Sequence, residues 1–252
     1  MPETSKPSER ILDVLETLQT AAEPLGVNEI AALCGLPPAT AYRALQTLCA
    51  RGWAFQGADE KYRAGARLAY AGGGQQFLRL LRDTAFFVMR RYAAEAGEAM
   101  NLAVRDLDRC TILVQARTER LIDYIPPTGT SSPFHASACG KVLLSELPAA
   151  ALDDILAATD FRPFTEKTVT DAEHFRAVLD EVRENGYATD AFESSQAGFC
   201  VAVPVRDTAC QIIAAVSYSG FLGDVPPEKL AHFLDLLKKC SAEITEKIFG
   251  QH

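Results

Sequence analysis

The side chains best suited to chemistry in this chain are cysteines, a histidine and an aspartate in its C-terminal half. His135 precedes Cys139 by four residues, so the pair suggests a thiol nucleophile beside a base, and Cys200 is a second candidate nucleophile. Together with Asp190, the same residue types also suggest a metal site. A thiol enzyme further needs a thiolate and an oxyanion site, whereas the sequence provides only the proximity of His135 to Cys139.

Simple binding is favoured over both kinds of chemistry. Cysteine is commonly a small, buried apolar residue, and the chain contains neither the G-x-S-x-G nor the G-x-x-x-x-G-K-[ST] pattern. We therefore expect a binding protein with no catalytic residue, no metal and no cofactor. A metal site made of cysteine, aspartate and histidine stays open as an alternative.

Three serines indicate what would be bound. Ser137 stands at the start of a predicted helix, where its hydroxyl can cap the helix and leave nearby backbone N–H groups, at 138–140, free for an anion. Ser217 and Ser219 are two residues apart on a predicted strand, so both hydroxyls point to the same side of a sheet. Such donors are suited to a carboxylate.

The composition of the chain is that of an ordinary globular protein, and its 252 residues suggest two domains or one larger domain. No window of 18 apolar residues and no signal-peptide pattern occur, so no membrane segment is expected. Seven cysteines without a C-x-x-C pair indicate reduced thiols in a cytoplasm. The net charge of −8 argues against a protein that coats nucleic acid indiscriminately, but it allows a local basic face.

Residues 1–71 are predicted to form three helices and a hairpin. The helices span about 9–20, 27–34 and 37–50, and strands at 53–55 and 61–63 form a wing. Two short helices around a glycine turn are typical of a helix-turn-helix. Residues 36–67 hold five basic and two acidic residues, as a surface facing DNA requires. The residues expected to contact DNA are Pro38, Ala39, Thr40, Tyr42, Arg43 and Gln46, with Lys61 and Arg63 of the wing.

The rest of the chain alternates between helical and extended patterns. The triple glycine 72–74 predicts a break, and a connecting helix follows over 75–98. Strands are expected at 100–104, 111–115, 121–125, 199–205 and 211–219. Helices are expected at 137–147, 149–158, 171–185 and 226–249, the third with a capping box of Thr170 and Glu173 and an end at Gly186.

The order of several short motifs resembles the IclR family of bacterial transcriptional regulators. In the N-terminal part these are Gly35-Leu36-Pro37, Thr40-Ala41-Tyr42-Arg43-Ala44-Leu45 and Tyr62-Arg63-Ala64-Gly65. In the C-terminal part they are His135-Ala136-Ser137-Ala138-Cys139-Gly140-Lys141, Ala202-Val203-Pro204-Val205-Arg206-Asp207 and Ala214-Ala215-Val216-Ser217-Tyr218-Ser219-Gly220. The similarity covers nearly the whole chain.

The resemblance implies an α+β protein. It would comprise an N-terminal winged helix-turn-helix (1–71), a linker helix (72–97) and a C-terminal α/β domain (98–252) with a curved antiparallel sheet of the GAF or profilin-like type. It also implies a homodimer or homotetramer on double-stranded operator DNA, and a response to a small organic acid. Helix one and the linker helix carry more apolar surface than a three-helix domain buries alone, so we expect them to form the dimer contact.

The effector pocket implied by the resemblance falls on Ala138, Cys139, Asp190, Cys200, Ser217 and Ser219. Phe134, Phe199 and Tyr218 are expected to enclose the body of the acid, and Asp190 to contact a hydroxyl or keto group or to be protonated. The chain departs from the family where Ser194 follows Glu193 and where Gly198 precedes Cys200 by two residues. The alternative function is a small-molecule sensor whose first domain contacts protein instead of DNA.

Overall fold

The structure is a computed structural model of the 252-residue chain. It describes residues 6–21, 23–57, 59–65, 68, 75–106, 108–118, 127–196, 198–220 and 225–250. The chain divides into two compact units, Met1–Leu80 with Ile248–His252, and Leu81–Lys247. The predicted break at 72–74 and the predicted strand at 121–125 lie outside the described residues. Within the described part of the chain, no helix is long and apolar enough to cross a membrane.

The described part of the first unit includes three helices and a two-stranded hairpin that precede the linker helix. The helices are α1 (Lys6–Thr20), α2 (Val27–Leu33) and α3 (Pro38–Ala50), and the strands are β1 (Ala54–Gln56) and β2 (Tyr62–Ala64). At the start of α2 the Glu29 carboxylate accepts the N–H of Gly26 at 2.6 Å. The core beneath these elements is formed by side chains that are almost fully buried, among them Val14, Leu18, Ile30, Leu45 and Tyr62.

The wing lies one residue later than the predicted strands. The Trp53 N–H donates to the Leu48 carbonyl at 2.8 Å, so Trp53 still belongs to the turn that ends α3. Pairing therefore begins at Ala54, opposite Ala64, and places Phe55 opposite Arg63. The buried side chains of Ala54 and Tyr62 fix this register.

The linker helix α4 (Gln75–Ala96) begins where the sequence predicts and ends two residues earlier. It ends at Gly97, whose φ of 66° is the left-handed conformation that glycine adopts most readily. Within the second unit, buried residues repeat along the helix at intervals of three and four, as in Leu81, Ala85, Val88 and Tyr92.

An antiparallel sheet forms the centre of the second unit, and the residues that the structure describes contribute six strands to it: β3 (Ala99–Asp106), β4 (Arg109–Ala116), β5 (Ser131–Ser132), β6 (Ala188–Ala191), β7 (Phe199–Arg206) and β8 (Ile212–Gly220). Their order in the sheet is β5-β4-β3-β8-β7-β6. The sequence predicts the four long strands and misses β5 and β6. Both are too short for an alternating pattern to emerge.

Four α-helices accompany the sheet: α5 (Ala138–Leu144), α6 (Ala149–Ala158), α7 (Ala172–Asn185) and α8 (Pro227–Phe249). A 3₁₀ turn, Phe134–Ala136, precedes α5. The predicted capping box of α7 is wrong in its first residue. The Asp171 carboxylate, not Thr170, accepts the N–H of His174 at 2.8 Å. Gly186 ends α7 as predicted, with φ 74°.

The two faces of the sheet bury different partners. On one face, small residues such as Ala103, Ala202 and Ala215 pack against α5, α6 and α7. On the other face, the Tyr218 ring packs against Phe233 of α8 at 4.9 Å between centroids, and its hydroxyl donates to the Tyr92 carbonyl at 3.0 Å. The functional residues of β8 therefore alternate with residues that hold α4 and α8 in place.

Candidate DNA-binding surface and effector cavity

The helix α3 presents the residues predicted to contact DNA on its accessible side. Tyr42 is 49% exposed, Pro38, Ala39, Arg43 and Gln46 are also exposed, and Thr40 is half-buried. The opposite side is buried in the core of the first unit through Ala41, Ala44, Leu45 and Leu48. The buried side fixes the direction in which the polar side points.

Burial raises the pKa of Tyr62 on β2, whose side chain belongs to the core of the first unit. The Arg43 guanidinium forms no ion pair within the described residues, so it is available to a ligand.

The wing residues Lys61 and Arg63 are both exposed. The sequence did not indicate that Asp59 organises this turn. Its carboxylate accepts the Lys61 backbone N–H at 3.2 Å and pairs with the Arg63 guanidinium at 3.0 Å. Both partners in the ion pair are solvated, so the pair is weak and phosphate can compete for Arg63.

A cavity of about 100 Å³ lies in the second unit, where α5 approaches β7 and β8. We call it the inner cavity. All six residues that the family resemblance assigned to an effector pocket line it, namely Ala138, Cys139, Asp190, Cys200, Ser217 and Ser219. The sheet register explains part of this convergence, because Cys200 faces Ser219 and Asp190 faces Cys200 across neighbouring strands.

Ser217 contributes an unsatisfied polar group to the inner cavity. Its side chain is 1% exposed, and its hydroxyl has no hydrogen-bond partner among the described residues. A buried hydroxyl without a partner carries a desolvation cost. A ligand with an acceptor atom would remove that cost.

Ser219 is held by a chain of side-chain amides that the sequence analysis missed. The Gln115 amide donates to Asn101 at 2.8 Å, and the Asn101 amide donates to the Ser219 hydroxyl at 2.8 Å. Asn101 also lines the inner cavity. The available signal was a polar residue within the apolar strand pattern at 100–104, since a buried amide needs partners.

The start of α5 adds backbone donors. The Ser137 hydroxyl accepts the Gly140 N–H at 3.2 Å, as predicted, and the N–H groups of Ala138 and Cys139 have no acceptor within the helix. Gly140 is required here because a Cβ would lie 2.6 Å from the Phe134 backbone. The helix has seven residues, so these N–H groups supplement the hydroxyls instead of forming an anion site by themselves.

The thiols in the inner cavity are not activated. A hydrogen bond with Cys110 and burial raise the pKa of Cys139, and burial raises the pKa of Cys200. Both thiols are therefore protonated and poor nucleophiles. His135 does not line the cavity; its Nε2 lies 3.1 Å from the Arg162 carbonyl, and its ring packs against Phe161 and Phe164. Among the described residues, no group of three or more His, Cys, Asp and Glu side chains is arranged to hold a metal.

Asp190 is more constrained than the sequence analysis expected. Its carboxylate accepts the N–H groups of Glu193 at 2.8 Å and Ser194 at 3.2 Å, and also the Ser194 hydroxyl. Burial raises the pKa of Asp190 despite these donors. Its first role in the described structure is to close the turn that brings Ser194 to the inner cavity.

A buried ion pair fixes the same turn to α5. The Lys141 ammonium lies 2.6 Å from both carboxylate oxygens of Glu193 and donates to the Thr189 carbonyl at 2.8 Å. The side chains are 4% and 12% exposed, respectively. No pattern in the sequence indicated this pairing, because the residues are 52 positions apart.

The three aromatic residues expected around the acid are not grouped there. Phe199 lines the inner cavity. Phe134 is buried and lines a neighbouring cavity instead. Tyr218 was assigned wrongly, because it lies between Ser217 and Ser219 on β8 and so points to the face covered by α4 and α8.

Comparison with known proteins settles the family. The model described as the bacterial transcriptional regulator IclR C-terminal domain matches residues 79–246, and the IclR helix-turn-helix domain matches residues 9–57. The chain belongs to the IclR family. It is therefore a transcriptional regulator with a DNA-binding helix-turn-helix and not an enzyme.

Individual IclR-family relatives agree with this. The regulator BhcR of Paracoccus denitrificans is 30% identical over 239 residues, which cover 94% of this chain and 85% of that protein. The crystal structure of the Thermotoga maritima IclR is 26% identical, with a TM-score of 0.64, and covers 96% of this chain and 98% of that one. An IclR homolog from Microbacterium hydrocarbonoxydans, crystallised with 4-hydroxybenzoate, is 24% identical with a TM-score of 0.61, covering 96% and 99%.

The family assignment confirms the α+β fold, with a helical N-terminal part and a curved antiparallel sheet. The family assignment does not support the alternative in which the first domain contacts protein instead of DNA. The domain that matches this part of the chain is a DNA-binding helix-turn-helix.

Proposed function

We propose that this IclR-family regulator binds operator DNA through α3 and the wing, and that a small organic acid in the inner cavity modulates this binding. The observation that carries the proposal is the buried Ser217 hydroxyl, which lacks a partner among the described residues and lines that cavity. An acid whose carboxylate accepted this hydroxyl would turn an unfavourable group into a favourable contact.

The other donors around the inner cavity support an anion. Ser219, two residues further along β8, and Asn101, opposite Ser217 on β3, line the same cavity. Ala138 and Cys139 also line it, and their N–H groups have no acceptor within α5. Each hydrogen bond to a charged acceptor contributes about 1.5–3 kcal/mol. The effector is a small acid because the cavity, at about 100 Å³, accepts a carboxylate with a few carbon atoms.

The DNA contacts follow from the exposed side of α3. Arg43 is placed to read a base edge, with Tyr42, Thr40 and Gln46 beside it and Pro38 and Ala39 at the helix start, near the phosphates. Lys61 and Arg63 on the wing contact the backbone. These assignments extend the family's helix-turn-helix to individual residues.

The proposal includes an assembly of two or four copies. Binding to two half-sites requires two recognition helices about 34 Å apart, which one copy cannot provide. We assign residues 1–71 to the DNA-binding domain and residues 72–97 to the linker helix. Residues 98–252 form the domain that binds the effector and mediates assembly. We assign the dimer contact to exposed apolar residues of two helices, namely Leu12 on α1 and Leu78 and Phe87 on α4.

A panel of short acids tests the effector site. The probes are acetate, propionate, pyruvate and lactate, added to the full chain and followed by thermal unfolding and then by calorimetry. We expect at least one of them to stabilise the wild type, and Ser217→Ala to lower its affinity at least tenfold. Ser219→Ala should also lower the affinity, because the Ser219 hydroxyl accepts from Asn101 and keeps its own proton to donate to the acid.

The matched control is Ser241→Ala. Ser241 donates to the Pro204 carbonyl outside the inner cavity, so its loss should leave the affinity for the acid unchanged. Equal affinity of wild type and Ser217→Ala for a stabilising acid would place the effector elsewhere. No stabilisation by any of the four acids would also contradict the proposal.

A further inference from the structure

A row of polar side chains crosses three strands of the sheet and ends at the inner cavity. Gln115 on β4 faces Asn101 on β3, and Asn101 faces Ser217 on β8. Ser219 lies two residues beyond Ser217, so it points to the same face. Gln115 and Asn101 are 8% and 3% exposed, so their amides need partners inside the protein.

The hydrogen bonds along this row run in one direction. At the start, the Arg117 guanidinium donates to the Gln115 side-chain oxygen at 3.4 Å. The Gln115 amide then donates to Asn101, and the Asn101 amide donates to the Ser219 hydroxyl, each at 2.8 Å. A guanidinium has no acceptor atom, so it fixes which end of the Gln115 amide faces it and thereby the direction of the later bonds. We call these four side chains the polar relay.

The polar relay leaves Ser219 as a donor to the inner cavity. Its hydroxyl oxygen accepts from Asn101, and the Cys200 sulfur lies 3.3 Å from the same oxygen. Burial raises the pKa of Cys200, so this thiol keeps its proton and can also donate to Ser219. With its acceptor capacity filled, the Ser219 hydroxyl has only its proton to offer to a ligand.

The direction of these bonds is important because the inner cavity has no cationic lining. Among the described residues that line it, none is a lysine, an arginine or a histidine. An anion in this cavity therefore depends on how the hydroxyl and amide dipoles are oriented. A carboxylate only accepts hydrogen bonds, whereas a carboxamide of the same shape also donates, so a lining of fixed donors distinguishes the two.

We propose that Gln115 and Arg117 are positioning residues that make the inner cavity select a carboxylate over the matching carboxamide. Neither residue lines the cavity, and Arg117 is exposed. They act through Asn101, by fixing the Ser219 hydroxyl as a donor. The inference rests on the proposed function, because it assumes that an acid binds beside Ser217.

Calorimetry on the full chain with two short acids and their amides tests this proposal. The pairs are propionate with propionamide and lactate with lactamide. In the wild type, the tighter of the two acids should bind about tenfold or more tightly than its amide, because the amide N–H groups meet donors instead of acceptors.

Gln115→Glu should reverse the polar relay. The new carboxylate accepts from Arg117 and cannot donate to Asn101, so Asn101 turns its amide and presents its oxygen to Ser219. Ser219 then donates to Asn101 and offers a lone pair to the ligand. The affinity for the acid should fall about tenfold or more, and the affinity for the amide should rise. Neither misfolding nor repulsion of the acid would produce that rise.

Three further variants assign the effect to the polar relay. With Ser219→Ala already present, Gln115→Glu should change the affinity for the acid by only about twofold or less, because the relay no longer reaches the ligand. Gln211→Glu is the matched control: it adds the same charge at an exposed glutamine that does not line the cavity, and it should leave the preference for the acid unchanged. At the exposed start of the relay, Arg117→Met should weaken acid binding about threefold, whereas Arg117→Lys, which still only donates, should not.

The outcomes separate this proposal from the one on which it rests. An unchanged preference in Gln115→Glu overturns it, as does an equal loss with and without Ser219→Ala. If Gln115→Glu does not fold, wild-type affinity in Arg117→Met overturns it. A wild type that binds neither acid, or binds acid and amide equally, overturns it too, and the inner-cavity site stands if another short acid depends on Ser217. If a short acid binds Ser217→Ala as well as it binds the wild type, the proposed function fails instead.

Discussion

Arg43 is the side chain to which we assign most of the sequence discrimination on DNA. It is exposed on α3 and has no ion-pair partner among the described residues. A bidentate contact from arginine to guanine contributes about 1–3 kcal/mol of discrimination, so Arg43→Ala should weaken operator binding about tenfold or more. Fluorescence anisotropy with a labelled duplex measures this. Arg10→Ala, an equal loss of charge on α1, is the control, and equal affinities of Arg43→Ala and wild type would remove α3 from the interface.

Asp190 makes the stability of the protein depend on pH in a definite direction. Burial raises its pKa, so the folded protein keeps this proton at a pH where the unfolded chain has released it. Stability therefore falls as the pH rises from about 4, the ordinary pKa of aspartate, to the raised value. Glu193, whose pKa is also raised by burial, contributes with the same sign.

Asp190→Asn tests that contribution. The variant keeps the shape of the side chain and an acceptor for the Glu193 and Ser194 N–H groups, but it cannot titrate. Its midpoint of thermal unfolding should fall less than that of the wild type across this pH range. Parallel curves for the two proteins would show that Asp190 is not the group responsible.

At the scale of elements, the Lys141–Glu193 ion pair holds α5 to the turn that carries Ser194. Removing one partner leaves the other charge buried, so Lys141→Ala should destabilise the protein by about 3–5 kcal/mol in urea unfolding. Adding Glu193→Ala should restore part of the loss. Arg176→Ala breaks an exposed pair with Asp153 and should cost about 0–1 kcal/mol. Similar losses for Lys141→Ala and Arg176→Ala would contradict this view of the pair.

The elements that sequence alone predicts well are those with local signals. The start of α3 at Pro38, the end of α7 at Gly186 and the long strands β7 and β8 each have a cap or a periodicity that acts over a few residues. The wing shifted by one residue because Trp53 completes the turn after α3 through a backbone bond that no side-chain pattern reveals.

The residues of the candidate effector site were predicted mainly from the family resemblance, which supplied their positions in the sequence. The six effector residues meet at one cavity, although their chemistry alone placed only the serines there. Tyr218 could have been excluded by strand alternation. Asn101 and the Lys141–Glu193 pair depend on contacts between distant segments, and a single sequence does not contain such pairings.

At the scale of the whole molecule, we predict that the protein assembles into a dimer or tetramer, whereas the structure describes a single copy of the chain. Phe87 on α4 is 72% exposed, so its ring offers apolar surface that a second copy of the chain would bury. Light scattering should give the mass of a dimer or tetramer at micromolar concentration, and Phe87→Asp should shift the population toward smaller species. A monomeric wild type at that concentration would contradict the assembly.

The most direct measurement of the central proposal is the affinity of the full chain for DNA from upstream of its own gene, determined with and without a saturating acid that calorimetry has shown to bind. Coupling between two sites typically changes affinity by fivefold or more. We predict a change of at least that size in the wild type and none in Ser217→Ala at the same acid concentration. An acid that binds the wild type but leaves its affinity for this DNA unchanged would contradict the account.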